Sequence, residues 1–282
     1  GRSGQLRFCE ADVWQQGLMT TGEAARLRAA YDEQLRGAPE TLGALAVTRL
    51  GPLHLATFQR GFGFITYRDL GAASEHALRQ LVQEALAHFM AARDVNRVKW
   101  KARGHDLAPR LHEVLIESGF VPGEPEAIMV GEAEKLAVEV PLPEGVTLRR
   151  VTTATDVLAM TTLQAEVFGD PDPEVIAEDM LHRLSLHNGV ELWVAEHGGR
   201  VVTAGRLEPV PGTSFAGIWG GATHERWRGL GIYRALTAAR ARSALALGKT
   251  LINSDSTEYS RPILERSGLL KVSTTTPYRW RR

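Results

Sequence analysis

Hydrophobic and polar positions along the chain follow two periods, and their order predicts a regular succession of helices and strands. Apolar residues that recur every three or four positions are typical of helices, whereas short β-branched or aromatic runs are typical of strands. Over the first half, this pattern predicts helices at 21–36, 74–94 and 107–120 and strands at 44–50, 52–58, 62–69 and 97–102. We expect Ser74 to cap the second helix and Gly119 to end the third.

The pattern is interrupted after residue 131 and then begins again. Residues 132–145 mix charged residues with two prolines, which is typical of a linker. The second half then predicts strands at 146–151, 214–223, 250–255 and 271–280, a hairpin at 190–210 that turns at Gly198 and Gly199, and helices at 154–169, 173–187, 229–247 and 260–268.

The two halves also echo each other in sequence. VLIESGF at 114–120 and ILERSGL at 263–269 both place a Ser-Gly pair at the end of a helix and before a strand. Because the order of elements repeats as well, we predict a tandem repeat of one α/β fold with mixed sheets. The predicted domains are 1–131 and 146–282, joined by the linker at 132–145.

Composition narrows the class of protein. Lys+Arg and Asp+Glu both number 33, so the formal net charge is zero, which weighs against a nucleic-acid-binding protein. No apolar run approaches the roughly 18 residues that a membrane span needs. The single cysteine, Cys9, excludes an intramolecular disulfide framework and a cysteine-rich zinc site. A protein of the reducing cytoplasm fits these features.

One short stretch carries a distinctive chemistry. ERWRGLGIYRAL, at 225–236, places two glycines and three arginines at the start of a predicted helix. Unpaired N–H groups at a helix N-terminus bind anions, and glycine lets a phosphate approach the backbone closely. The stretch matches neither the P-loop pattern nor the dinucleotide-binding fingerprint. It therefore predicts a phosphate or pyrophosphate site of another kind.

Arg226, Gly229 and Gly231 form the pattern Arg-x-x-Gly-x-Gly, which resembles the pyrophosphate-binding motif of the GNAT acetyltransferase superfamily. In a second frame, Arg228, Gly229, Gly231 and Ile232 match a common variant of that motif, and Tyr233 stands where the family often has glycine. The resemblance extends over about residues 146–282. It implies two GNAT-like domains, each a twisted, mostly antiparallel sheet flanked by helices, with acetyl-CoA as co-substrate in the second.

The resemblance also implies which residues contact the co-substrate. The expected contacts are Ala222, Thr223, Arg226, Arg228, Gly229, Leu230, Gly231, Ile232 and Tyr233, together with Asn253 for the pantetheine amides. The first half has one glycine and an acid, Asp69, at the equivalent junction, so we expect it not to bind CoA. The first half also contains a His105-Asp106 pair. We interpret this pair as structural, with Asp106 capping the helix that follows.

The expected reaction is direct attack of an amine on the thioester in a ternary complex, without a metal. The predicted fourth strand, 214–223, contains no acid, and Leu264 stands where the family usually has its tyrosine. The catalytic base is therefore open between Glu208, Asp255, Glu258, Tyr259 and water. The acceptor could be a small amine, an amino acid or a peptide, and the oligomeric state is open. An alternative interpretation is a sensor or scaffold that binds acyl-CoA without transfer.

Overall fold

A computed structural model describes residues 10–169 and 172–282; Cys9 lies outside this range. The first half contains three longer helices, a short fourth one and six strands. They are α1 (Glu10–Gln34), β1 (Ala46–Leu50), β2 (Leu53–Phe58), β3 (Phe62–Tyr67), α2 (Glu75–Ala91), β4 (Arg97–Arg103), α3 (Leu111–Glu117), β5 (Val121–Pro122), β6 (Glu126–Glu132) and α4 (Ala133–Leu136). The Ser74 hydroxyl accepts a hydrogen bond from Ala77 N at 3.2 Å, which confirms the predicted cap of α2.

The second half repeats the strand–helix order of the first. Its elements are β7 (Val146–Val151), α5 (Ala154–Phe168), α6 (Pro173–Ser185), β8 (Glu191–His197), β9 (Arg200–Pro209), β10 (Phe215–Thr223), α7 (Ile232–Ala246), β11 (Leu251–Ser256), α8 (Arg261–Arg266) and β12 (Leu270–Arg281). The predicted hairpin turn is confirmed: Gly198 and Gly199 join β8 to β9 with φ angles of 56° and 75°. Two positive φ angles in succession suit the tight turns that connect twisted strands.

All these strands form one continuous mixed sheet. Its order is β1-β2-β3-β4-β12-β6-β11-β10-β9-β8-β7, with β5 added beside β12. Most neighbours are antiparallel. Two pairs are parallel, β3 with β4 and β10 with β11, and each is connected by a helix, α2 in one case and α7 in the other. The parallel pair thus occupies the same place in both halves, as the repeat predicts.

The halves exchange their closing strands. β6 follows the first half but pairs with β11 of the second, while β12 follows the second half and pairs with β4 of the first. β6 and β12 also pair with each other at the centre of the sheet. The predicted boundaries at 131 and 146 therefore separate segments of sequence whose strands are interleaved in the sheet.

Helices cover both faces of the sheet. One face carries α2 and α3 over the first half and α7, α8 and α4 over the second. The opposite face carries α1 at the centre and α5 and α6 over the second half. Among the described residues, no helix is both long and apolar enough to cross a membrane.

Several local predictions differ from the structure. The strand expected after residue 120 had no predicted bounds and is β6, α3 begins at Leu111 instead of 107, and α7 begins at Ile232 instead of 229. Asp106 does not cap α3, so that prediction is wrong. Its carboxylate accepts hydrogen bonds from Arg36 Nη1 and Tyr67 OH, both at 2.7 Å, and from the Arg103 backbone N–H at 3.1 Å. A buried guanidinium competes for this carboxylate more strongly than a helix terminus does.

Candidate functional site

The junction between β10 and α7 is open at the backbone. A 3-10 turn spans Glu225–Trp227, and the chain then passes through Gly229 and Gly231 with φ angles of 77° and 78°. Among the described residues, no heavy atom lies within 4 Å of the Cβ position of either glycine. Glycine is required here because other residues rarely adopt these φ angles. The open space leaves the backbone accessible to a ligand.

The N-terminus of α7 presents unsatisfied donors to this space. Gly231 is the N-cap residue and supplies no side-chain cap. The helix's hydrogen-bonding begins with Ala235 N donating to Gly231 O at 2.9 Å. The N–H groups of the preceding turn have no partner inside the helix, and the helix dipole adds partial positive charge. The arrangement suits an anion.

Side chains of the turn fix its shape and add charge. Arg226 N donates to His224 Nδ1 at 3.2 Å, and Arg228 Nε donates to Thr223 O at 3.1 Å. Both arginine side chains are exposed beside the glycines. The Trp227 ring packs against His197, with 4.8 Å between ring centroids, so it belongs to the local packing of the turn.

Tyr233 has a place that the neighbouring strand provides. A Cβ atom on Gly221 would lie 2.5 Å from Tyr233 Cε2 and 2.6 Å from its hydroxyl oxygen. Glycine at 221 therefore makes room for the aromatic ring. The tyrosine that replaces the last glycine of the motif packs over the strand and leaves the space at Gly229 and Gly231 open.

The other expected contacts divide by burial. Ala222 and Ile232 are buried and shape the loop from below, whereas the Leu230 side chain is half exposed. The Thr223 hydroxyl lies 3.3 Å from that of Thr203 on β9. Contacts from Ala222 and Ile232 to a phosphate could therefore come only from their backbone. Among residues 10–169 and 172–282, no group of three His, Cys, Asp or Glu side chains could hold a metal ion.

A basic cavity of about 220 Å³ adjoins the first turns of α7. It lies between α7, the end of α8 and the short helix α4, and none of its lining residues is acidic. They are Lys135, Leu136, Val138, Arg234, Thr237, Arg266, Ser267 and Gly268. Sequence reasoning missed this cavity because three distant segments contribute to it. Its charge suits an anionic group, and Arg234 brings it to the first turn of α7.

β10 and β11 pair over a short distance and then separate. Their parallel pairing covers only Phe215–Gly217 against Leu251–Asn253, and β10 has a bulge between Trp219 and Ala222. Asn253 lies at the last paired position and is 5% exposed. Its Oδ1 atom is buried without a hydrogen-bond partner among the described residues. A buried acceptor of this kind requires a donor, which a ligand amide could supply.

The equivalent junction of the first half is closed. The Ser74 hydroxyl caps α2, and Asp69 Oδ1 accepts a hydrogen bond from Gly71 N at 2.8 Å. The strand gap beyond it is filled by charged side chains: Glu40 accepts from the Thr66 hydroxyl at 2.6 Å and also from the buried Arg103 guanidinium. Both the helix terminus and the gap are therefore occupied by the protein's own groups.

Two of the candidate bases are poorly suited to their predicted role. Glu208 Oε1 accepts hydrogen bonds from Arg206 Nε at 2.6 Å and Arg183 Nη1 at 3.1 Å. Burial alone would raise the pKa of Glu208, but the two arginines outweigh it and hold the pKa below its usual value. A carboxylate with a lowered pKa is a weak proton acceptor. Tyr259 is 82% exposed, so its hydroxyl lies in solvent.

Asp255 lies just beyond the point where β10 and β11 separate. Its Oδ2 accepts a hydrogen bond from Lys101 Nζ of the first half at 2.7 Å, while its Oδ1 is buried without a partner among the described residues. Glu126, the first residue of β6, lies nearby, and burial together with the charge of Asp255 raises its pKa. Sequence reasoning missed Lys101 and Glu126 because strand exchange, which has no local sequence pattern, brings them here.

Comparison with known proteins agrees with this geometry. Residues 136–253 match the family model described as the acetyltransferase (GNAT) domain. A 131-residue region, 45% of the chain, is 32% identical to a protein named glucose-6-phosphate isomerase from Novosphingobium aromaticivorans. The chain spans only 24% of the length of that relative.

Solved structures show the same fold along the whole chain. A GCN5-related N-acetyltransferase from Kribbella flavida superposes with a TM-score of 0.64 and 17% identity, covering 90% of this chain and 94% of that one. A tandem GNAT protein from the clavulanic acid biosynthesis pathway superposes with a TM-score of 0.61 and 15% identity, covering 95% of each chain. Residues 136–253 thus match a GNAT acetyltransferase domain, and the chain has, over nearly its full length, the fold of these two solved structures.

Proposed function

We propose that this protein is an N-acetyltransferase that moves an acetyl group from acetyl-CoA to an amine. The second half binds acetyl-CoA, and the amine attacks the thioester directly in a ternary complex. The GNAT domain match supports acyl transfer, and acetyl-CoA is the usual donor of that superfamily. The first half covers the acceptor side of the shared sheet and binds no CoA.

The contrast between the two helix N-termini carries this proposal. α2 is capped by Ser74 and preceded by an acid, Asp69, whereas α7 has no side-chain cap and begins after two open glycines. The same element of the repeat is thus closed in one half and open in the other. An open, basic helix N-terminus suits a pyrophosphate.

The remaining parts of acetyl-CoA have partners of matching chemistry. The basic cavity beside α7 offers Arg234 and Arg266 to the phosphate on the ribose. The unpaired Asn253 Oδ1 can accept a hydrogen bond from a pantetheine N–H. The bulge between Trp219 and Ala222 frees backbone N–H groups of β10 from the strand ladder, and such donors can stabilise the oxyanion of the thioester carbonyl.

The acid–base chemistry belongs near Asp255. Of the predicted candidates, Glu208 is neutralised by two arginines and Tyr259 is exposed to solvent. Asp255 lies beside the gap between β10 and β11, where a thioester threaded between the strands would meet an amine. The amine needs a base because its pKa is about 10 when it is free in water.

Acetyl-CoA binding is tested by titration calorimetry of the wild type and Gly231→Asp. The aspartate should repel the pyrophosphate and lower the affinity at least about tenfold, a loss of roughly 1.4 kcal/mol. Gly212→Asp is the matched control, because Gly212 also has a positive φ, 70°, and open space around its Cβ position, but lies in a remote turn. If folded wild-type protein binds no CoA ester, the proposal is wrong.

The alternative, a sensor that binds acyl-CoA without transfer, is distinguished by turnover. Release of free CoA from acetyl-CoA is measured with each of four amines in turn. They are ethanolamine, lysine, a short peptide with a free N-terminus, and spermidine as a polycationic comparison. Amine-dependent release above the rate without amine supports the transferase. Tight binding without release for any amine favours the sensor.

A further inference from the structure

Side chains of both halves meet at the open end of β11. Asp255 comes from β11, Glu126 from the exchanged strand β6, and Lys101 from β4. Between β4 and β11 lie the two exchanged strands, β12 and β6. This cluster therefore exists only because the first half contributes strands to the sheet of the second.

The strand register places Glu126 and Asp255 on one face. In the antiparallel pair of β6 and β11, Asp255 lies opposite Ile128. Glu126 is two residues from Ile128, so its side chain points to the same face and stands diagonally to Asp255. Diagonal Cα atoms in such a pair are about 7–8 Å apart, within reach of long side chains. Ile128 packs against α1, which identifies the face as the one opposite α7.

Asp255 is held in place from the first half. Lys101 Nζ donates to Asp255 Oδ2 at 2.7 Å, and both side chains are largely buried. Burial alone would lower the pKa of Lys101, but Asp255, Tyr31 and Glu40 together outweigh it, so the pKa is raised. The ion pair holds the Asp255 carboxylate beside Glu126.

We propose that Glu126, supplied by the strand of the first half, is the base that accepts the proton of the acceptor amine. The inference rests on the proposed function and names the acid–base residue of the same site. Asp255 acts through Glu126 as a positioning residue, and Lys101 positions Asp255. Burial and the negative charge of Asp255 disfavour the ionised form of Glu126, which raises its pKa and makes it a better proton acceptor than an exposed carboxylate.

Transfer of the acetyl group from acetyl-CoA to a protonated amine yields the amide and free CoA and releases one proton. The Glu126 carboxylate takes a proton from the acceptor's ammonium group, directly or through one water. The nitrogen lone pair then forms the C–N bond to the thioester carbonyl carbon, and the C–S bond breaks with its electron pair on sulfur. The nitrogen loses its second proton as the amide forms, and the CoA sulfur gains one. Glu126 finally returns its proton to solvent.

The charges that face Glu126 come from three strands. Asp255 on β11 raises its pKa, whereas Lys99 and Lys101 on β4 and Arg279 on β12 lower it. Removing Asp255 and removing Lys99 should therefore move the pKa of Glu126 in opposite directions.

The test compares Glu126→Gln with Glu132→Gln. Glu132 lies at the other end of β6, and its side chain is 39% exposed in ion pairs with surface groups. With acetyl-CoA and the fastest amine of the panel, Glu126→Gln should lower kcat about 100-fold or more. It should leave acetyl-CoA affinity and thermal stability near those of the wild type. Glu132→Gln should turn over at the wild-type rate.

The pH profile separates catalysis from structure. In the wild type, kcat/KM should fall as Glu126 becomes protonated at low pH. Asp255→Asn should move this acid limb to lower pH, and Lys99→Met should move it to higher pH. A purely structural role for the cluster would lower the rate without moving the limb.

Two results would overturn the inference. One is turnover by Glu126→Gln within twofold of the wild type, with an unchanged acid limb. The other needs no turnover and therefore applies even if every amine is a poor substrate. The carboxyl carbon of Glu126 is followed by NMR and is assigned by its absence from the spectrum of Glu126→Gln. A pKa at or below about 4.3, the value of a free glutamate, would overturn the inference. In either case acetyl-CoA binding still tests the proposed function separately.

Discussion

The packing of Tyr233 over Gly221 gives a quantitative test of the phosphate loop. In Gly221→Ala, the new Cβ would lie 2.5, 2.6 and 2.9 Å from three atoms of the Tyr233 side chain. All three distances are shorter than real Cβ contacts, so the rigid ring would have to move as a unit. Gly221 does not have a positive φ, so the substitution adds steric overlap without backbone strain.

The expected cost follows from overpacking. Forcing an extra methyl group into a packed site costs about 1–3 kcal/mol. For domains of 150–250 residues, each kcal/mol lowers Tm by about 2–4 °C. Because Tyr233 lies in the first turn of α7, its displacement should also weaken acetyl-CoA binding. Gly22→Ala is the control: its Cβ position is open, it lies inside α1, and alanine there should be neutral or stabilise by up to about 1 kcal/mol.

A double-mutant cycle identifies the cause. If the ring is the obstacle, Gly221→Ala should cost far less in a Tyr233→Ala background, with a coupling energy of about 1 kcal/mol or more. Thermal melts and calorimetric titration with acetyl-CoA measure both effects. Additive costs in the cycle, or a Gly221→Ala protein that melts and binds as the wild type does, would refute the argument that Gly221 makes room for Tyr233.

Two further predictions concern the buried charges. Lys101→Met leaves the largely buried Asp255 without its partner and should lower the free energy of unfolding by about 3–5 kcal/mol in urea titrations. Arg26→Met removes a mostly exposed ion pair and should lower it by less than about 1 kcal/mol. Equal losses of stability in the two variants would contradict the burial argument. Burial alone would raise the pKa of Asp32, but His105 and Arg36 together outweigh it and the pKa is lowered. The stability that Asp32 contributes is therefore complete above its unfolded pKa of about 3.9 and is lost as pH falls through the folded pKa. Asp32→Asn should be less stable than the wild type at pH 6, and the stabilities of the two proteins should converge near pH 2–3. A difference in urea midpoints that stays constant with pH would contradict this.

The local elements and the backbone conformation at Gly229 and Gly231 were predictable because their information is local. Ser74, Gly119 and the Gly198–Gly199 turn each depend on a few neighbouring residues, and the structure confirms all three. The loop at Gly229 and Gly231 was recognisable because its conformation needs glycine at those two positions. Their positive φ angles agree with that requirement.

The contacts that depend on distant pairing were not predictable. The bounds and partners of β6 were missed because EAIMVGE is a short apolar run beside a stretch typical of a linker, and its two neighbours in the sheet come from the end of the chain. Asp106 was assigned to the nearest helix, but the partner that decides its position is Arg36, 70 residues earlier in sequence. Glu126 and Lys101 fall in the half expected not to bind CoA, and only the exchange of strands brings them to Asp255.

The exchanged strands also determine when the sheet can form during synthesis. β4 pairs on one side with β12, which is translated about 170 residues later. Until then, β4 presents a row of unpaired backbone groups, which other chains could pair with. Pairings over so long a separation also form slowly. The first half therefore cannot complete its sheet before β12 has been synthesised, and its β4 edge stays unpaired until then.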